Sequence, residues 1–164
     1  MKKVILIGES PNWNTEHHPE LWLRPDRSGA CHSANRLLTY TGWTLEEYLA
    51  WFDRTNLVRR AVTKWPREEA AHASVALFIK AASSGQKVIL LGQKVTQAFF
   101  GSRKIALLKW KPLEVDGLTP LNGPAHFAVV PHPSGRNLWW NSKEHRAQAL
   151  AFFTHLKSEL SRTE

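Results

Sequence analysis

The sequence predicts an α/β fold: a three-layer α/β/α sandwich around a central, mostly parallel sheet of four strands, in one domain over residues 1–164. Three observations predict it. The apolar runs Val4-Ile5-Leu6-Ile7, Val88-Ile89-Leu90-Leu91 and Phe127-Ala128-Val129-Val130 are too short for helices and do not alternate with polar residues, the pattern of strands buried on both faces. Stretches with helical spacing lie between them, so the chain reads as successive βα units whose helices cover both faces of a parallel sheet. Each run also ends in a loop of glycine, proline and polar side chains, at the carboxyl end of the strand, where such sheets bind ligands.

Taken in order, Val4 to Ile7 form the first strand, closed by Gly8-Glu9-Ser10-Pro11-Asn12. Residues 13–28 hold Trp13, His17, His18, Pro19, Trp22, Pro25 and Asp26 without periodicity and read as a long surface loop. A helix from about Gly29 to Tyr40 carries Ala30, Ala34, Leu37 and Leu38 on one side, and Gly42 ends it. Thr44 and Glu47 make a capping box for a short helix through Leu49 and Trp51, and a strand follows over Arg54 to Val58. Pro66 opens the next helix as its first residue, with Glu68 and Glu69 at the positive end, and Gly85 stops it after Ser84. Lys87 to Leu91 form a strand, and Gly92 opens a helix through Val95, Ala98 and Phe99 that ends at Gly101. Between Ser102 and His126 a short irregular strand is expected over Lys109 to Val115. After the Phe127–Val130 strand, Asn141 with Glu144 caps a final helix whose apolar positions include Leu150, Phe153 and Leu156.

The composition removes several functions. Cys31 is the only cysteine, which excludes an intrachain disulfide and a cysteine-held zinc or iron-sulfur site; Cys31 itself reads as a small buried apolar residue. His17 and His18 are adjacent and cannot present as ligands one helical turn apart, and His72, His126, His145 and His155 fall at no metal-binding spacing. No apolar run reaches membrane-spanning length and no secretion signal opens the chain, so a soluble, cytoplasmic, monomeric protein without cofactor is expected. The net charge of +8 suits a polyanionic partner, because each phosphate neutralised releases counterions.

The segment Pro131-His132-Pro133-Ser134-Gly135-Arg136-Asn137 is poor in packing groups and rich in binding groups. Two prolines fix the backbone around His132, and a hydroxyl, a cation and an amide follow. Together with Gly8-Glu9-Ser10-Pro11, Thr55-Asn56 and Val88-Ile89-Leu90-Leu91-Gly92, in this order and each after a strand, it resembles the uracil-DNA glycosylase superfamily over nearly the whole chain. The first motif is similar to that of the iron-sulfur enzymes of family 4, and the His132 loop to that of the single-strand-selective monofunctional enzymes. The cluster cysteines of family 4 are absent, Ser10 stands where other families place a water-positioning Asp or Asn, and Asn12 departs from the usual small or aromatic residue.

The resemblance implies a uracil-DNA glycosylase-like fold and a monofunctional DNA glycosylase acting on uracil or a related modified pyrimidine, with DNA as partner. Cleaving the glycosidic bond leaves an anionic base and an oxocarbenium-like sugar, so the site must stabilise the base and admit a water. His132 is expected to donate a hydrogen bond to the base, with Glu9 or Ser10 holding the water. Asn56, Gly8 and Pro11 are expected at the base, and Trp22 in place of a stacking ring that alignment puts near Asp26. Ser134, Gly135, Arg136, Asn137, Gln93 and Lys94 are expected toward DNA, Arg136 either filling the stack or holding a phosphate. Trp139 and Trp140 offer rings for stacking, although most of the eight tryptophans are expected in the core. Two other functions fit the same residues: excision of a different modified base, and nucleobase or DNA binding without cleavage.

Overall fold

A computed structural model of the chain describes residues 3–13, 16–18, 22–25, 32–102, 104–113 and 123–162. The elements run β1 (Val4–Gly8), α1 (His32–Thr41), α2 (Leu45–Trp51), β2 (Phe52–Asn56), α3 (Arg67–Ser84), β3 (Lys87–Leu91), α4 (Gln93–Phe100), β4 (Lys111–Leu113), β5 (Ala125–Val130), a 3-10 turn (Leu138–Asn141) and α5 (Lys143–Ser161). They form one five-stranded sheet of order β2-β1-β3-β5-β4, parallel except for β4. The expected sheet of four is therefore short by one strand. Lys111–Leu113, inside the short strand expected over Lys109–Val115, pairs antiparallel with Phe127, His126 and Ala125 at the edge; Pro112 is tolerated there because an edge strand leaves one side of its ladder unpaired.

Alternate residues of each central strand serve opposite faces. Val4, Leu6, Ile89, Leu91 and Val130 pack with Leu37 of α1, Tyr48 and Trp51 of α2, Trp140, and Phe153 and Leu156 of α5. Ile5, Ile7, Val88, Leu90, Phe127 and Val129 pack with Ala70, Ala81 and Ala82 of α3 and Val95 of α4. Helices thus cover both faces, which is why the strand sequences carry no polar alternation. Trp22, Trp43, Trp51 and Trp140 are buried in this core, whereas Trp13 is exposed.

Local signals account for most boundaries. Thr44 accepts from the Glu47 amide and the Glu47 carboxylate from the Thr44 amide, the reciprocal capping expected. Gly85 and Gly101 close α3 and α4. Four boundaries move, the first being that β5 begins at Ala125 rather than Phe127 and takes His126 into the strand. β2 begins at Phe52 rather than Arg54, because α2 passes straight into the strand and Phe52 pairs with Val4; Leu57 and Val58 leave it, their amides bonding Gly8 and Glu9 carbonyls at 2.9 Å each. Pro66 is the residue before α3 rather than its first. α5 is capped by Ser142, whose hydroxyl accepts from the His145 amide at 3.3 Å, while Asn141 is consumed by the preceding 3-10 turn. Leu150, expected inward, is 45% exposed on α5, whereas Phe153 and Leu156 are buried. The expected helix start at Gly29, together with Ala30, Cys31, Pro19 and Asp26, lies outside the described residues, as do Glu114 and Val115.

The order of the strands positions the site. From β1 the chain turns to β2 on one side, then crosses to β3 on the other, so the connections leaving β1 and β3 diverge to opposite faces. A crevice opens at such a switch point, outside the carboxyl ends of the strands. Here those ends are Gly8-Glu9 and Leu91-Gly92, with the loop after β5 alongside.

Candidate active site at the carboxyl ends of the strands

A cleft of about 460 Å³ lies at this switch point, lined by Glu9, Gly92, Gln93, Lys94, Pro131, His132, Ser134, Arg136, Asn137, Leu138 and Trp139, with Leu107 and Val129 below. Three strands contribute to it, through the loops after β1, β3 and β5.

The His132 loop is held from within and from outside. The His132 carbonyl accepts from Asn137 Nδ2 at 3.0 Å and from the Trp140 indole Nε1 at 3.1 Å, and Trp140 is wholly buried. Asn137 also accepts from the Trp139 amide through Oδ1 at 3.1 Å, so both ends of its amide are spent on the loop. Arg36, from α1, donates to the Ser134 carbonyl at 2.7 Å. These bonds fix the ring of His132 by fixing its backbone.

The ring itself has a defined tautomer. The Ser134 amide donates to Nδ1 at 3.2 Å, so Nδ1 is an acceptor and the neutral imidazole carries its proton on Nε2. Burial pushes the imidazole below its ordinary value of 6.5; the Glu9 carboxylate opposes that shift, and the Lys94 ammonium adds to it. At neutral pH His132 is therefore an uncharged N–H donor. Because its folded value lies below 6.5, its contribution to stability is fully present above that pH and is lost as pH falls through the folded value.

Glu9 faces His132 across Gly92. A Cβ on Gly92 would stand 2.8 Å from His132 Cβ and 3.4 Å from Glu9 Oε1, so the bare glycine is what lets the two side chains share the space. The other carboxylate oxygen, Oε2, accepts from Lys94 Nζ at 3.0 Å, and the Lys94 ammonium sits 5.6 Å from the centroid of Trp65. Lys94, expected toward DNA, lines the cleft and pairs with Glu9. Replacing Lys94 by methionine is expected to raise the His132 pKa, since it removes one of the two influences that depress it; Glu9→Gln is expected to lower it. NMR titration of the His132 ring protons measures both, and equal values in the two variants would show that neither charge reaches the ring.

The remaining expected residues divide into two groups. Asn56 does not line the cleft: it is 4% exposed and packs against Gly8, where a Cβ would stand 2.5 Å from Asn56 Oδ1 and 3.0 Å from a Leu23 methyl. Its Oδ1 is buried with no hydrogen-bond partner among the described residues. Leu23 holds a left-handed backbone (φ 51°), with its carbonyl accepting from the buried Tyr48 hydroxyl at 2.8 Å. Pro11 is buried and Ser10 half-buried, both beyond the cleft lining. Trp22 is buried, with the Arg59 guanidinium 5.9 Å from its ring centroid. Gly135 and Arg136 are exposed at the loop tip, Ser134 is half-buried, and Gln93 is exposed at the start of α4.

Sequence reasoning missed four participants. Arg36 and the brace by Trp140 depend on contacts between distant segments, and no local pattern announces them. The Lys94–Glu9 pair spans α4 and the β1 loop. Leu138, 74% exposed at the rim, was legible as an apolar residue directly after the polar loop, where burial does not explain it. Among the described residues no group of His, Cys, Asp and Glu is arranged to hold a metal ion, and no helix is long and apolar enough to cross a membrane. No protein-family model matches the chain, and a search of curated proteins finds no significant relative.

Proposed function

We propose that the chain is a monofunctional DNA glycosylase that hydrolyses the N-glycosidic bond of uracil or a related modified pyrimidine, and that its sheet and helices form the three-layer sandwich of the uracil-DNA glycosylases. The observation that carries this reading is the His132 ring: neutral, with Nδ1 occupied by the Ser134 amide, and with Nε2–H left as the donor at a cleft opposite a carboxylate.

The chemistry follows from that arrangement. As the bond between sugar C1′ and base nitrogen breaks, its electron pair stays with the base, and negative charge develops on a base carbonyl. Nε2–H donates to that oxygen and keeps its proton, which needs no charged imidazole. A water then bonds to C1′ on the opposite face of the sugar and passes a proton to the side chain that holds it, while the base leaves as its anion. Glu9 is favoured over Ser10 for this water, because Lys94 ties down Oε2 and leaves Oε1 directed toward Gly92 and His132. Asn56 lies outside the cleft lining, behind Gly8 and Leu23, and its unpartnered Oδ1 meets the N3–H of the base only when the Leu23 side chain moves aside. Leu138 fills the stack vacated by the flipped nucleotide, and Arg136 holds a neighbouring phosphate.

Asn56→Ala separates recognition from folding. A buried acceptor without a partner costs about 1–3 kcal/mol, so removing it is expected to leave the melting temperature unchanged or higher while cleavage is lost on every accepted base. A calorimetric scan beside a cleavage assay checks this; full turnover in the variant removes Asn56 from recognition.

The second reading, a protein that holds a nucleobase or DNA without cleaving it or that acts on another base, is favoured by Ser10 and by the packing of Leu23 beside Asn56. Single- and double-stranded oligonucleotides bearing uracil, hydroxymethyluracil, hypoxanthine or thymine decide between the two. Abasic product from a pyrimidine substrate supports the glycosylase; binding without product from any base sinks it.

A further inference from the structure

Beside the His132 loop, two arginines from different helices meet at one tyrosine. Arg36 of α1 places its guanidinium carbon 5.9 Å from the Tyr40 ring centroid, and Arg146 of α5 places its own 5.2 Å from the same centroid. Tyr40 is stacked on the buried Trp140 ring, 5.6 Å between centroids at 13°. Trp140 is also the residue that holds the His132 carbonyl, so this cluster is fixed to the loop it adjoins.

The charges of this cluster are not neutralised by contact. Both arginines are half-buried, and neither makes an ion pair with a carboxylate among the described residues. Glu144, two residues before Arg146, feels its charge, but the Glu144 carboxylate is engaged by the Ser142 hydroxyl at 2.6 Å. Support of the loop explains Arg36, which bonds the Ser134 carbonyl. It does not explain Arg146, whose guanidinium bonds no protein oxygen among the described residues. Two like charges gathered round one ring repel each other, and attraction to the ring face offsets only part of that. Holding unneutralised cations in fixed positions at the edge of a cleft disfavours the free protein and favours an anion that bridges them. Guanidinium groups also match the tetrahedral oxygens of phosphate with paired N–H donors, as an ammonium does not.

We propose that Arg36 and Arg146 form a phosphate subsite that holds a phosphodiester of the DNA strand next to the nucleotide in the His132 cleft. The subsite deepens the glycosylase reading and rests on it for the strand's direction into the cleft, but binding alone tests it.

The test is the salt dependence of affinity for undamaged single-stranded and duplex oligonucleotides, for the wild type, Arg146→Gln and Arg146→Lys. Loss of one phosphate contact makes the slope of log K against log salt shallower by about 0.7 for single strands and about 0.9 for duplex. That change is expected in Arg146→Gln, with a melting temperature equal to or above the wild type, and it is expected to be largely absent in Arg146→Lys. An unchanged slope in Arg146→Gln, with DNA still bound, overturns the subsite. A slope change with no cleavage of any base keeps the subsite and sinks the glycosylase. No DNA binding by the wild type sinks both. Inorganic phosphate bound by the wild type and lost in Arg146→Gln, without a change of slope on DNA, assigns the site to a free anion and overturns the strand assignment.

Discussion

His132→Ala is expected to leave DNA affinity within about threefold, because the histidine's strongest interaction is with charge that exists only in the transition state. Single-turnover cleavage is expected to fall by roughly 10²–10³, the scale on which removal of one donor to a developing oxyanion acts. The loop is expected to survive the change. Its backbone is held by Asn137, Trp140 and Arg36 through carbonyl and amide groups that alanine retains, and only the contact from the Ser134 amide to Nδ1 is lost. The loss therefore belongs to chemistry and not to folding, and a melting temperature close to the wild type would say so. The wild-type rate should also fall on the acid side, below pH 6.5, as a proton on Nδ1 replaces the bond from the Ser134 amide and the ring loses the contact that aims Nε2–H at the base. In His132→Ala that acid limb should vanish from whatever rate remains. Cleavage within tenfold of the wild type, or an unchanged acid limb, would remove His132 from the reaction.

The fold was legible wherever one local cause decides the structure. Val4–Ile7 and Val88–Leu91 are strands because nothing but burial on both faces suits four consecutive apolar residues between breakers, and the pairing of β1 with β3 confirms their parallel course. Thr44 with Glu47 named a helix start for the same reason: the two side chains and two amides satisfy each other without help from the rest of the chain. The errors fall where two local solutions compete. Asn141 and Ser142 both cap helices well, and the choice went to Ser142 because a 3-10 turn had already claimed Asn141. β4 was expected as a short strand within Lys109–Val115, but not as a fifth member of the sheet, since three residues including a proline carry no periodicity that says which edge they join.

The site was legible as a list of loops and not as a geometry. The carboxyl ends of the strands named Glu9, Gly92 and His132 before any contact was known, because topology alone brings those ends together. What topology does not give is how each side chain spends its donors and acceptors. Asn137 reads as a free amide in the sequence, yet both of its ends are committed to the loop. Lys94 reads as a DNA contact, and its pairing with Glu9, 85 residues away, is not written in the local sequence. Trp140 reads as a stacking ring and is a buried brace. In each case the deciding partner comes from another segment, which composition and spacing do not encode.

Gly92→Ala is expected to damage both folding and cleavage with a single methyl. Gly92 sits at φ 93° and ψ 168°, a region of backbone space that is essentially closed to residues with a side chain. A residue held there costs on the order of 1–3 kcal/mol, and the added carbon would also stand 2.8 Å from His132 Cβ, closer than real Cβ atoms come to a neighbour. Neither partner can yield cheaply. The Gly92 amide donates to the Val130 carbonyl at 2.8 Å, and its carbonyl accepts from the Thr96 amide at 3.1 Å and the Thr96 hydroxyl at 2.8 Å, so the backbone is tied at both ends. His132 sits in a loop braced by three other side chains. The strain is therefore expected to appear in both measurements: a lower melting temperature, by about 2–4 °C for each kcal/mol at this chain length, and cleavage reduced as far as in His132→Ala. Gly135→Ala is the control. It lies in the same loop with nothing within 4 Å of its added carbon, so its melting temperature should stay at the wild-type level, and a small change in cleavage there would belong to DNA contact and not to strain. If Gly92→Ala melts and cleaves like the wild type, then β3 and the His132 loop do not press together as closely as the site requires, and Glu9 and His132 do not share the space across Gly92.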